Sequence, residues 1–188
     1  FAITPIIGFD WKFEKLNIGA KYEFRTKINL ENNSELSSKN VIALMPDYAH
    51  KAKVRSDIPA FLSVAAQYKV LPNLRAAVEY HFFDDKAAKV GRDVNKNSFL
   101  TKGTNEYLFG LEWDITKRIT LSGGGQRTDY GLSDAYQSET SFQCESYSLG
   151  CGAEVKMNEK LKLNLGYLWT NYKDYKVTTP NFNGTGLT

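Results

Sequence analysis

The sequence predicts an all-β chain of antiparallel, up-and-down strands, on three observations. Apolar residues recur at every second position along most of its 188 residues. No segment of helical length keeps a 3.6-residue period. The connections between the alternating runs are by turns very short and very long.

Strand-like runs fall at 2–13, 16–31, 59–71, 74–84, 105–116, 119–129, 142–157 and 161–174, eight in all. The second alternates most cleanly. Leu16, Ile18, Ala20, Tyr22 and Phe24 take one face, and Lys21, Glu23, Arg25 and Lys27 the other. Tight turns are expected at 14–15, 72–73, 117–118 and 158–160, with long polar loops at 32–58, 85–104 and 130–141. A weak repeat surrounds each tight turn, in WKFEKLNIGAKY, YKVLPNLRAAVEY, WDITKRITLSGG and VKMNEKLKLNLGY. One end of the sheet is trimmed and the other elaborated, the asymmetry of outer-membrane barrels. Residues 1–188 read as a single barrel domain.

Composition removes several function classes. Lys+Arg 24 against Asp+Glu 21 leave a net charge of +3, and the charges are interleaved, so nucleic acid is not an expected partner. No run approaches the ~18 consecutive apolar residues of a spanning helix. A spanning barrel is compatible with the mean hydropathy of -0.41, because only alternate positions are apolar. The N-terminal FAITPIIGFDWKF has no basic leader pattern.

Cys144 and Cys151 are seven apart on one expected strand, which places them ~24 Å apart and rules out a mutual disulfide. His50 and His81 have no metal-ligand spacing, and no catalytic set of acids, bases and nucleophiles emerges. No enzyme activity, metal or cofactor is therefore expected. SGGG at 122–125 lacks the Lys-Ser/Thr of a phosphate loop and predicts a bulge or bend.

Aromatic placement decides which face meets lipid. Trp11, Phe13, Tyr68 and Trp113 lie near the tight turns. Tyr22, Phe24, Tyr80, Phe82, Tyr107, Tyr147, Tyr167 and Trp169 lie toward the long loops. Tyr107 and Trp113 are six residues apart, ~20 Å along a strand, comparable with the ~25 Å apolar band of a membrane barrel and its two aromatic girdles. The apolar face is thus expected outward. The opposite face, with Lys21, Gln67, Arg75, Glu79, His81, Glu112, Asp114, Gln126, Glu154 and Lys162, is expected to line a lumen.

These patterns resemble a known family. NEYLFGLEWDITKRITLSGGGQRTDYGLSD through SYSLGCGAEVKMNEKLKLNLGYLWTNYKDYKV is similar to the C-terminal part of FadL/TodX-type outer-membrane transporters. TPIIGFDWKFEKLNIGAKYEFRTKINLEN and SDIPAFLSVAAQYKVLPNLRAAVEYHFF look like that family's middle hairpins. The resemblance implies a fourteen-stranded barrel plugged by an N-terminal hatch, of which this chain is an internal-to-C-terminal segment without hatch or last strand. A self-contained eight-stranded barrel is the alternative.

It further implies passive transport of hydrophobic small molecules such as long-chain fatty acids across the bacterial outer membrane, with a monomeric barrel and the lipid bilayer as partner. The loop at 32–58 would take the place of an external loop that first captures substrate. Val41, Ile42, Leu44, Met45 and Tyr48 in VIALMPDYA would supply the apolar surface, unless they merely tuck over the barrel mouth. The competing reading is a structural or adhesive outer-membrane barrel whose long loops bind a partner. Enzyme barrels and soluble ligand-binding barrels are further alternatives.

Overall fold

A computed structural model of the protein describes residues 1–34, 42–43, 48–91, 95–137 and 143–176. In chain order its strands are β1 (Ile6–Lys12), β2 (Leu16–Glu23), β3 (Asn29–Glu31), β4 (Lys53–Ser56), β5 (Phe61–Leu71), β6 (Leu74–Phe83), β7 (Val90–Gly91), β8 (Thr104–Asp114), β9 (Ile119–Asp129), β10 (Ser146–Lys156) and β11 (Lys162–Tyr172). Eight of them form one antiparallel sheet in the order β1-β2-β5-β6-β8-β9-β10-β11. Every neighbour in this sheet is the next long strand in sequence, so the up-and-down expectation holds. Among the described residues β1 and β11 each pair on one side only, and the sheet is not closed.

The turns form where expected. Phe13 N donates to Leu16 O at 2.7 Å, and Met157 N to Leu161 O at 3.0 Å. Thr116 Oγ1 accepts from the amides of Arg118 and Ile119, and Asn158 Oδ1 from those of Lys160 and Leu161. Short polar side chains thus satisfy the turn amides left outside the ladder.

Two expectations need correction. The long strand expected at 16–31 ends at Glu23. Phe24 N turns to Pro5 O, Thr26 pairs with Ile58, and residues 29–31 join β4 and β7 in a separate three-stranded sheet. Alternation gives a strand its two faces and says nothing of its partner. Arg25 and Lys27, expected to continue the lumen face, lie beyond the wall, where Arg25 Nη1 donates to Ala87 O.

The bulge expected at SGGG is also absent. Residues 122–125 keep unbroken register with both β8 and β10. The register shift lies instead between Lys69 and Leu71 of β5, beside the Pro72 turn.

Cross-strand registers fix the two faces. Trp11, Ile18, Ala66, Val78, Phe109, Gly125, Leu149 and Trp169 form one continuous row on one side. This face is apolar and uncovered, with Val78 60%, Phe109 56% and Leu165 62% exposed. An apolar surface running across eight strands far exceeds the patches that soluble monomers tolerate, so it faces hydrocarbon. The row starts at Trp11 in the belt of the tight turns and ends at Trp169 in the belt of the long loops. Because a row runs perpendicular to the strands, the strands must lean relative to the membrane normal, as barrel closure requires.

Candidate functional site: a glycine-paved trough in the lumen wall

On the polar side of the sheet, one cross-strand row reads Gln67, Ala77, Gly110, Gly124, Gly150 and Leu168. The adjacent row ends in Gly152 and Gly166. Small residues of five consecutive strands therefore meet in a trough of about 1140 Å³, with Leu108 also on its wall. Its peptide groups are already paired in the ladder, so from Gly110 to Gly150 the floor offers neither projecting side chains nor unsatisfied polar atoms to an apolar molecule.

Packing requires only part of this clearing. At Gly124 a Cβ would come within 2.4 Å of Phe109 O and 3.2 Å of the Gly110 Cα, so close backbone approach demands glycine there. At Gly110 a Cβ would meet nothing within 4 Å, and at Gly166 only Cys151 O at 4.0 Å. Those two positions are open although the neighbouring atoms would tolerate a Cβ.

Charged networks border the trough at both ends. Toward the long loops, Ser63 Oγ donates to Glu79 Oε1 at 2.8 Å, and His81 spans Glu79 at 2.7 Å and Glu106 at 3.0 Å. Gln126 Nε2 donates to the other Glu106 oxygen at 2.9 Å. Toward the tight turns, Arg75 bridges Glu112 and Asp114, Thr120 Oγ1 donates to Asp114 at 2.7 Å, and Lys162 pairs with Glu154 at 2.8 Å. Lys21, Gln67, Arg75, Glu79, His81, Glu112, Asp114, Gln126, Glu154 and Lys162 all share this face, as their alternation predicts. Each acid is held by a cation or a hydrogen-bond donor, which makes the wall a ladder of matched charges. Among the described residues no three His, Cys, Asp or Glu side chains gather as metal ligands.

The external end carries a second construction. Asp57, with its side chain only 1% exposed, accepts from Arg55 Nε at 3.0 Å and Nη2 at 2.6 Å, and from the amides of Ile28 and Lys89, both at 3.1 Å. One carboxylate thus ties three segments, 26–28, 55–57 and 89–90, into a cap of β3, β4 and β7. Burial pushes its pKa up, but the Arg55 fork and the two amides outweigh this and hold it below its ordinary value. Of the expected capture residues, Val41, Leu44 and Met45 lie outside the described residues. Ile42 is half-buried and Tyr48 is exposed, its carbonyl accepting from Ser34 Oγ at 2.8 Å.

The trough was not foreseen from the sequence. Its signal is glycine at alternate positions on one face, Gly110, Gly124, Gly150, Gly152 and Gly166, and it becomes visible only once register aligns four strands.

Comparison with known proteins gives the same architecture. The CymD monoaromatic hydrocarbon channel is similar over 89% of this chain and 46% of its own, with 13% identity and a TM-score of 0.58. The toluene transporter TbuX of Ralstonia pickettii matches over 90% of this chain and 56% of its own, with 12% identity and a TM-score of 0.46. The chain thus spans about half the length of these structures. No curated protein matches the sequence. Residues 32–185 match the outer membrane protein beta-barrel domain. The exposed apolar face, the two aromatic belts and this match place the protein in the bacterial outer membrane, and the chain belongs to the outer membrane protein beta-barrel domain family.

Proposed function

We propose that the chain forms part of a FadL/TodX-type barrel that passes hydrophobic small molecules, such as long-chain fatty acids, across the outer membrane without chemical change. The observation that carries this reading is the trough. A lumen wall otherwise studded with matched charges is cleared of side chains along one strip, including positions where packing did not demand it. The name of CymD, a channel for monoaromatic hydrocarbons, supports a hydrophobic cargo. In this reading β1 and β11 pair with further strands of the same protein, because an unpaired strand edge is not tolerated in hydrocarbon. A plug in the lumen would lie against the trough and make passage stepwise.

Capture begins at the external loop. Val41, Ile42, Leu44, Met45 and Tyr48 present apolar area to an acyl chain, worth about 25 cal/mol per Å² removed from water. The test uses the full-length barrel in vesicles. Gly110→Leu, whose Cβ enters open space and whose side chain projects into the trough, should slow uptake of a fatty acid while leaving the folded fraction unchanged. Replacing Ile42, Leu44 and Met45 together by Ser should weaken binding at the outer surface and reduce uptake most at low substrate concentration. Unchanged uptake in Gly110→Leu would remove the trough from the route.

A further inference from the structure

On the lipid-facing side Gly125, next to Gly124, does something different. Gly125 lies in a row between Phe109 and Leu149, and the next row toward the long loops holds Tyr107, Arg127 and Tyr147. A Cβ at Gly125 would come within 2.8 Å of the Phe109 ring and 3.1 Å of a Leu149 methyl, so those two side chains close over the missing one. The result is a hollow of about 370 Å³ in the surface that meets lipid, lined by Tyr107, Phe109, Gly125, Arg127, Tyr147 and Leu149.

Arg127 breaks the pattern of that face. It lies three residues beyond Gly124, the middle of β9, hence ~10 Å along the strand toward the external surface. From there a guanidinium reaches the headgroup layer by extending along its own methylene stem. It is exposed. The acids beside it are matched, since Lys102 pairs with Asp129 and Lys173 with Glu145 at 3.3 Å. The Asp129 carboxylate, whose direct partner is Lys102, also lies within electrostatic reach of Arg127. A cation between two tyrosines, directly above an apolar hollow, complements an amphiphile with an anionic head and a hydrocarbon tail.

We infer that this hollow is a binding site for a phosphorylated lipid of the outer leaflet, of the lipid A type. One acyl chain lies in the hollow against Phe109 and Leu149 where they meet over Gly125, and the phosphate accepts hydrogen bonds from Arg127. The occupant is a lipid because the hollow opens on the hydrocarbon side of the wall, on the face opposite the trough. The site is independent of the transported molecule, and the proposed function can fail without it.

The experiment takes the full-length barrel, folded in detergent and confirmed by its heat-modifiable gel mobility, and measures co-retention of lipid A by native mass spectrometry. Arg127→Gln should reduce retention about tenfold, the effect of losing a hydrogen bond to a charged group. Gly125→Leu, which pushes Phe109 and Leu149 into the hollow and leaves the charge in place, should reduce it comparably. Arg127→Lys, the fallback should the Gln variant misfold, should retain part of the affinity. Arg118→Gln, a cation removed from the opposite end of β9, should change nothing. Dephosphorylated lipid A should bind as weakly to the natural protein as lipid A does to Arg127→Gln, and inorganic phosphate should not compete. Equal retention by the natural protein, Arg127→Gln and Gly125→Leu would overturn the site, as would full retention of the dephosphorylated lipid or displacement by free phosphate. Uptake assays on the same variants separate this result from the transport reading.

Discussion

The eight-stranded sheet and the external cap are built on opposite principles. Among the described residues the buried apolar side chains are Ala52, Ala60, Ala88 and Leu100, and the buried polar ones Thr26, Asp57, Asn97, Thr104 and Thr128. All lie at the long-loop end. Between the belts the sheet buries no side chain fully, and its stability rests on ladder hydrogen bonds and on the lipid that covers its outer face. The cap is organised as a soluble segment is, around one buried, fully bonded carboxylate. A single chain therefore answers to two solvents within a few residues, and the same substitution has different consequences on either side of that boundary.

The largest expected effect breaks the outer face. Val78→Arg, near the middle of β6, should destabilise the barrel by about 2–4 kcal/mol in lipid. Gln67→Arg on the lumen face should have far less effect. A urea titration of the full-length protein in vesicles reads both, and equal penalties would mean the faces are reversed.

Within the sheet, Gly124→Ala should destabilise by about 1–3 kcal/mol through overpacking against the Phe109 carbonyl. Gly110→Ala should be neutral or slightly stabilising, since its Cβ enters open space and stiffens the unfolded chain. The same titration distinguishes them, and identical behaviour would refute the division between required and vacant glycines.

In the cap, Asp57→Ala leaves the Ile28 and Lys89 amides without acceptors and should loosen β3, β4 and β7 by about 1–3 kcal/mol. Limited proteolysis should then cut near 26–34, 53–58 and 85–91 while heat-modifiable mobility of the barrel persists. Loss of the barrel fold would show that cap and sheet are one cooperative unit.

The smallest effect is on pH. The carboxyl of Asp57 titrates below its ordinary 3.8 in the folded protein. Its contribution is therefore fully present above that value and is lost as pH falls through the lower, folded one. Cap cleavage by pepsin should rise as pH drops below about 3.8 in the natural protein, and stay high and flat in Asp57→Ala.

Strand existence and facing were readable because period-2 alternation and turn chemistry are local properties. Ile119–Asp129 falls where alternation places it, and β5, β6, β8, β10 and β11 lie within a few residues of expectation. Partnership within the cap was not readable. Residues 29–31 alternate as well as 16–23 do, yet pair with Lys53–Ser56, because the choice is made by Asp57 and Ile58 some thirty residues away. The glycines showed the same limit. SGGG looked like a defect when read along one strand, and became the floor of two hollows on opposite faces once Gly110 and Gly150 were set beside Gly124, and Phe109 and Leu149 beside Gly125.

The cap also bears on assembly. Each long hairpin is stitched from neighbouring sequence and can cross the bilayer as a ribbon with its connecting loop still unfolded. The three-stranded cap draws on segments 29–31, 53–56 and 90–91, so it cannot close until two successive hairpins have delivered their loops to the far side. Once Asp57 has gathered Ile28, Arg55 and Lys89, retreat through hydrocarbon would mean dragging a folded, charged knot back across it. The cap is in this sense a toggle behind a buttonhole, formed after passage and holding the threaded hairpins where they arrived.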